Sequence, residues 1–265
     1  MMTSIKNSIL LLGEPRCGSS YFRWNLNQHL RTLLLSEPFH NQMAFVFRHF
    51  TPEEEIELRE QGKHHGNESS EYFYHVWNLY KKRASDRNIR NIGCKVFYLM
   101  GNLQAVSCTS VEESLDRFDY VEKHKEHFNK IILLKRDPLE VFFSKIKAQV
   151  TKQWGMDSRY TQADYYPKFS DWTDLIRKRK WNVNGFRKKM ILYAHGKKRW
   201  QDRIDKTFDC LTVNYDNINW KEISEYLGEP IVEIKEHLQI RYDYERWLKQ
   251  NPEFEFMYNE IIRGI

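Results

Sequence analysis

The sequence predicts an α/β protein: a central parallel β-sheet flanked by helices, built as a single domain over residues 1–265. Three observations predict it. Short apolar runs alternate with stretches of helical length, and glycine, proline or a capping residue sits at the junctions between them. No internal repeat, low-complexity tract or Pro/Gly/Ser-rich linker divides the chain. Strand-helix alternation of this kind gives a sheet covered on both faces, with ligands at the carboxyl ends of the strands.

In chain order, Ser8 to Leu12 is the first strand, ended by Gly13, Pro15 and Gly18, and Ser19 to Leu35 has helical length with few breakers. Thr51-Pro52-Glu53-Glu54 combines a capping hydroxyl, a proline at the first helical position and acidic residues in the first turn, so a helix starts there. A second helix covers Ser70 to Arg83. Gly93 to Met100 and Lys130 to Lys135 read as strands, the latter followed by Asp137-Pro138 as a new helix start. Leu211 to Tyr215 is a late strand, leading to a helix over Asn219 to Leu227 that Gly228 and Pro230 stop.

The formal net charge of +6 favours anionic ligands without choosing among nucleotides, sulfated sugars and nucleic acid. No stretch is apolar enough to span a membrane, and Met1 to Asn7 lacks the apolar core of a secretory signal, so the expectation is a cytoplasmic protein. Cys17, Cys94, Cys108 and Cys210 are widely separated with no C-x-x-C pair, a pattern of reduced thiols rather than of a disulfide framework or a zinc site. His64-His65 and His124-x-x-His127 lack carboxylate or cysteine partners at ligand spacing and read as surface histidines.

Two segments carry the chemistry. Gly13-Glu-Pro-Arg-Cys-Gly18-Ser19-Ser20 has the two glycines of a phosphate-binding loop, with Ser19 where a lysine usually follows the second glycine. Backbone N–H groups, the helix N-terminus and the Ser19 and Ser20 hydroxyls can converge on phosphate oxygens there, and Arg16 supplies a cation. The missing lysine, with no acidic strand end to hold magnesium, disfavours a nucleoside triphosphatase or kinase. The second segment, Arg136-Asp137-Pro138 through Ser144, sets an arginine at a strand end and a serine two helical turns beyond the cap, so that both can face one anion.

Pro15-Arg-Cys-Gly-Ser-Ser-Tyr-Phe22 resembles the 5'-phosphosulfate loop of sulfotransferases that use 3'-phosphoadenosine 5'-phosphosulfate (PAPS), and Arg136 with Ser144 resembles that family's 3'-phosphate motif. Ser36-Glu37-Pro38-Phe39-His40 is similar to the Glu-Pro segment of the carbohydrate sulfotransferases, Gly93-Cys-Lys95-Val-Phe-Tyr98 to the lysine-bearing middle strand, and Val213-Asn-Tyr215-Asp216 to the late Tyr-Glu-Asp strand end. Ser-Ser-Tyr stands for the commoner Thr-Thr-Trp, Cys17 fills a position usually small and polar, and no Gly-rich C-terminal loop to cover the 3'-phosphate is found.

The resemblance implies a fold like that of the P-loop nucleoside triphosphate hydrolases and direct in-line sulfuryl transfer from PAPS to a hydroxyl acceptor, a carbohydrate or glycolipid, with no metal and no nucleic-acid partner. It implies that Pro15, Arg16, Cys17, Gly18, Ser19, Ser20, Tyr21, Arg136, Ser144 and Tyr215 bind the nucleotide. Glu37 is the first choice of base and His40 its rival, with Arg16 steadying charge on the departing 5'-phosphate and Lys95 a second cation near the transferred group.

Residues 150–206 are strongly basic and interleaved with Trp154, Tyr160, Tyr165, Tyr166, Trp172 and Trp181, a helical segment suited to sugars or anionic polymers or simply a solvated face. Two other functions fit part of the pattern. Cys17 and Arg23 satisfy the C-x5-R spacing of cysteine-dependent phosphatases, and a non-catalytic nucleotide or polyanion binder would keep the same loops.

Overall fold

Apolar runs bounded by turn residues become strands when both of their faces are covered, and the first such run, Ile9 to Leu12, is buried throughout. The computed structural model describes residues 5–14, 17–29, 31–35, 51–65, 70–86, 88–97, 122–137, 140–142, 144 and 183–234, with the single positions 249, 252 and 256. The chain forms two compact units, one of residues 1–100, 112–135 and 205–239 and the other of residues 101–111, 136–204 and 240–265.

The first unit holds a five-stranded sheet. Its elements are β1 (Asn7–Gly13), α1 (Ser19–Gln28), β2 (Thr32–Leu35), α2 (Pro52–His65), α3 (Ser70–Asp86), β3 (Asn91–Phe97) and β4 (Lys130–Lys135). The helix α4 (Val183–Thr207) begins in the second unit, and β5 (Leu211–Asn214) and α5 (Trp220–Leu227) complete the first. The strand order is β2-β3-β1-β4-β5 and every pairing is parallel, as the alternation predicts. The chain leaves β1 toward one edge of the sheet and β4 toward the other. The topological switch point, where open α/β sheets bind ligands, therefore lies between the carboxyl ends of β1 and β4.

A row of polar side chains fixes the register at the amino edge. Asn7, Asn91 and Thr32 are neighbours across β1, β3 and β2. The Asn7 amide donates to Asn91 Oδ1 at 2.7 Å and to the Leu227 carbonyl at 2.7 Å, and the Asn91 amide donates to Thr32 Oγ1 at 3.1 Å. A slip of one residue would bury these groups without partners, at a cost of about 1–3 kcal/mol for each.

The run Ser19 to Leu35 is not one helix. It breaks at Gln28, and Thr32–Leu35 becomes the edge strand β2. The Asn27 side chain fastens that strand to α1, accepting from Leu34 N–H at 2.7 Å and donating to the Leu34 carbonyl at 3.0 Å. Three leucines in succession fit a buried helix or a buried strand equally well, and only pairing with β3 separates the two.

The starts of α2 and α3 and both ends of α5 lie where the sequence predicts. Thr51 Oγ1 accepts from Glu54 N–H at 3.3 Å while Glu54 Oε2 accepts from Thr51 N–H at 2.8 Å, a reciprocal capping box. Asn219 caps α5 through Glu222 N–H, and Gly228 ends it at φ 63° with its own N–H turned back on the last turn. The apolar layer between sheet and helices brings Ile9, Leu11, Leu34, Ile132, Leu134 and Val213 against Phe22 and Leu26 of α1 and Ile223 and Leu227 of α5. On α3 the buried stripe is Tyr72, Phe73, Val76, Trp77, Tyr80 and Ala84, and the Tyr80 hydroxyl donates to the Leu33 carbonyl. No helix among the described residues is long and apolar enough to cross a membrane.

Candidate functional site

The turn after β1 is shaped by a glycine that no other residue replaces. Gly18 is left-handed at φ 88° and stands as the N-cap of α1, and the ring of Tyr215 occupies the place where a Cβ would project. No side chain caps the helix and its first turn holds no acidic residue. A helix N-terminus carries partial positive charge, and here the Cys17 thiol takes a hydrogen bond from the Ser19 backbone. Ser19, buried, and Ser20, exposed, are its first two residues.

Below this turn lies a buried charged cluster. Glu14 is 1% exposed and Lys95, on the neighbouring strand opposite Leu11, is 2% exposed. Both act on the Cys17 thiol, which is fully buried. Burial and then the Glu14 carboxylate push that thiol up, while hydrogen bonds from Ser19 and the Lys95 ammonium pull it partly back. The cluster thus brings Lys95 beside Cys17 at the turn after β1 and adds Glu14, which sequence reasoning passed over. Its signal was an acidic residue one position past a buried strand.

Tyr215 follows β5 in a short 3-10 turn and is itself mostly buried. Its ring meets Tyr21 edge-on at 6.0 Å, and the Tyr21 hydroxyl donates to Glu233 Oε1 at 2.6 Å. The structure therefore gathers Cys17, Gly18, Ser19, Tyr21, Lys95 and Tyr215 around one turn. Pro15, Arg16, Glu37 and His40 lie outside the described residues.

In the second unit, Arg136 and Ser144 are both buried. Asp137 Oδ1 accepts from Glu140 N–H at 3.1 Å and so caps the helical turn as expected. The Arg136 side chain is held by Glu140 one turn along, Nε and Nη2 each lying 2.6 Å from Oε2. Its backbone carbonyl accepts from Lys197 Nζ of α4 at 3.1 Å. Lys197 is 8% exposed, so this part of the basic segment is not the solvated face that the charge run suggested, although Lys198 beside it is exposed.

Arg23, the second half of the C-x5-R pattern, directs Nη1 to the Leu34 carbonyl at 3.3 Å, at the end of β2. Cys17 is inaccessible and its thiol is held protonated by its surroundings. A cysteine nucleophile needs the opposite environment, an exposed thiolate with a lowered pKa. The thiols of Cys17, Cys94 and Cys210 are free.

The histidine pair differs from expectation as well. His124 is not on the surface but 1% exposed, and Glu126 lies beside both His124 and His127. The reason is tertiary: the ring of Phe73 on α3 stacks over His124 at 4.1 Å.

No family model matches this chain, and no curated protein matches it.

Proposed function

We propose that the protein is a sulfotransferase that moves a sulfuryl group from PAPS to a hydroxyl acceptor, a carbohydrate or glycolipid. The observation that carries this reading is the turn after β1. It combines a left-handed Gly18, an uncapped helix N-terminus, Ser19 and the buried Lys95 at the switch point of a parallel sheet. The strand order β2-β3-β1-β4-β5 with such a loop after β1 also supports a P-loop-like fold. Arg136 and Ser144, placed after β4, are the proposed partners of the 3'-phosphate, with Arg16 beside the 5'-phosphosulfate.

In the proposed reaction the acceptor oxygen attacks sulfur in line with the bond to the 5'-phosphate. That S–O bond breaks as the new one forms, and the bisphosphate leaves with the electron pair. The acceptor proton passes to Glu37 or, as the rival, His40. The α1 N-terminus, Ser19 and the Lys95 ammonium are poised to offset charge growing on the leaving phosphate, so catalysis rests on positioning and electrostatics.

A phosphatase using Cys17 and Arg23 finds no support in a buried, protonated thiol and an arginine turned to Leu34. A non-catalytic binder of the same fold remains the contrast that an experiment separates. Calorimetry with adenosine 3',5'-bisphosphate and transfer of labelled sulfate from PAPS to candidate acceptors test the reading. Saturable binding and label on a sugar hydroxyl are expected. Binding without transfer to any acceptor would make the protein a binder, and no binding would end the assignment.

A further inference from the structure

The turn that precedes β4 brings three ligand-type side chains together by local geometry. Residues Lys125–His127 form a 3-10 turn, closed by His127 N–H to the His124 carbonyl at 3.1 Å and Phe128 N–H to the Lys125 carbonyl at 3.0 Å. A 3-10 turn has three residues per revolution, so side chains three apart eclipse rather than diverge. The rings of His124 and His127 accordingly lie on one side, 6.0 Å between centroids and inclined by 29°. Glu126 joins them: one donor atom from each of His124, Glu126 and His127 lies within 4.8 Å of the other two.

Aromatic walls surround two of the three. Phe73 lies parallel to His124 at 4.1 Å and faces His127 at 5.2 Å, and Tyr74 presents its edge to both, at 5.6 and 5.3 Å. His124 is thus held in an apolar wall, whereas the side chains of His127 and Glu126 are 24% and 58% exposed, with His127 Nε2 3.3 Å from Glu126 Oε1.

We propose that His124, Glu126 and His127 bind one borderline divalent transition ion, zinc being the physiological case, in a site separate from the transfer chemistry. Two imidazoles and one carboxylate are the donor set of such ions, whereas calcium and magnesium require a shell of oxygens. Tetrahedral zinc holds its ligands roughly 3.4 Å apart, so closing the site requires a movement of about 1 Å, which the two rim side chains supply. Water takes the fourth position. The turn ends just before Lys130, at the amino edge of the sheet, while the Gly18 turn follows the carboxyl end of β1. A bound ion would clip the entry to β4 and stabilise the fold by mass action.

Cobalt is the spectroscopic stand-in. Full-length protein without a histidine tag, freed of metal by chelation, is titrated with Co2+ and then Zn2+, recording visible absorption and Tm. One equivalent of cobalt is expected to raise a d–d band that zinc abolishes, with a rise in Tm under zinc and none under Mg2+. Glu126→Gln and His127→Gln, each compared with its own metal-free Tm so that lost ring packing is separated from lost ligation, should each weaken cobalt binding on the order of 10-fold or more. Absence of the band, or a band of undiminished affinity in both variants, overturns the proposal. Because absorption and Tm are the readouts, the result is independent of whether the protein transfers sulfuryl groups.

Discussion

The Tyr215 ring fills the volume that any side chain at position 18 would occupy. The loop after β1 and the turn after β5 are therefore one packed unit, joined across β4 in a sheet whose order only the fold establishes. Gly18→Ala places a Cβ against that ring and forces an L-residue into φ 88°. The backbone cost is about 1–2 kcal/mol and overpacking adds about 1–3 kcal/mol. Urea denaturation should show a loss on the order of 2–5 kcal/mol, and Tyr215→Ala in the same chain should recover the packing part alone, a coupling that a double-mutant cycle measures.

Cys17 provides a direct discrimination between chemistries. Cys17→Ser is expected to keep most sulfate transfer, since no covalent enzyme intermediate is proposed, whereas a thiolate nucleophile could not survive it. Because burial and Glu14 raise its pKa in the folded state, Cys17 adds no pH dependence below the ordinary thiol range. Stability falls as pH rises through that range, where the unfolded chain ionises first. Cys94, raised by burial alone, acts in the same direction. Iodoacetamide should label neither residue in native protein at pH 8, and mass spectrometry of the alkylated peptides reads the outcome.

Glu54 ties α2 to α3. Its carboxylate caps the first turn of α2 and accepts from Arg83 Nε at 2.9 Å and from Nη2 of the same guanidinium. Partial burial raises its pKa, but the Arg83 and Thr51 hydrogen bonds and the Arg83 charge outweigh that and leave it below the usual carboxylate value of 4.5. The folded pKa is depressed, so the stabilisation is present above pH 4.5 and is lost as pH falls through the lowered value. Glu54→Gln should cost about 1 kcal/mol at pH 7 by chemical denaturation. The difference from the parent protein should shrink as the buffer is acidified below pH 4.

Arg136 is held by Glu140 through two nitrogens, so the proposed 3'-phosphate would meet a guanidinium already oriented. Arg136→Ala should lower affinity for adenosine 3',5'-bisphosphate on the order of 10-fold or more and affinity for adenosine 5'-monophosphate far less. Equal losses for both nucleotides in calorimetry would remove the 3'-phosphate role from this residue.

Much of this was legible in the sequence because it is local. The capping box at Thr51, the Asn219 cap and the Gly228 stop are each set by interactions within a few residues. The break at Gly18 belongs with them as a turn between a strand and a helix, while its φ of 88° came from the structure. Glu14 was missed for the converse reason: what makes it notable is its burial beside Lys95 and Cys17, a property of neighbouring strands.

From its amino acids alone the chain determined that strands and helices alternate and where several of them begin and end. Tertiary structure decided the remainder: that Thr32–Leu35 is an edge strand, that β1 lies between β3 and β4, and that Lys197 and His124 are buried. Hydrogen bonds inside a helix or a cap join residues close in sequence, whereas strand order and burial depend on which distant segments the shared apolar layer brings into contact.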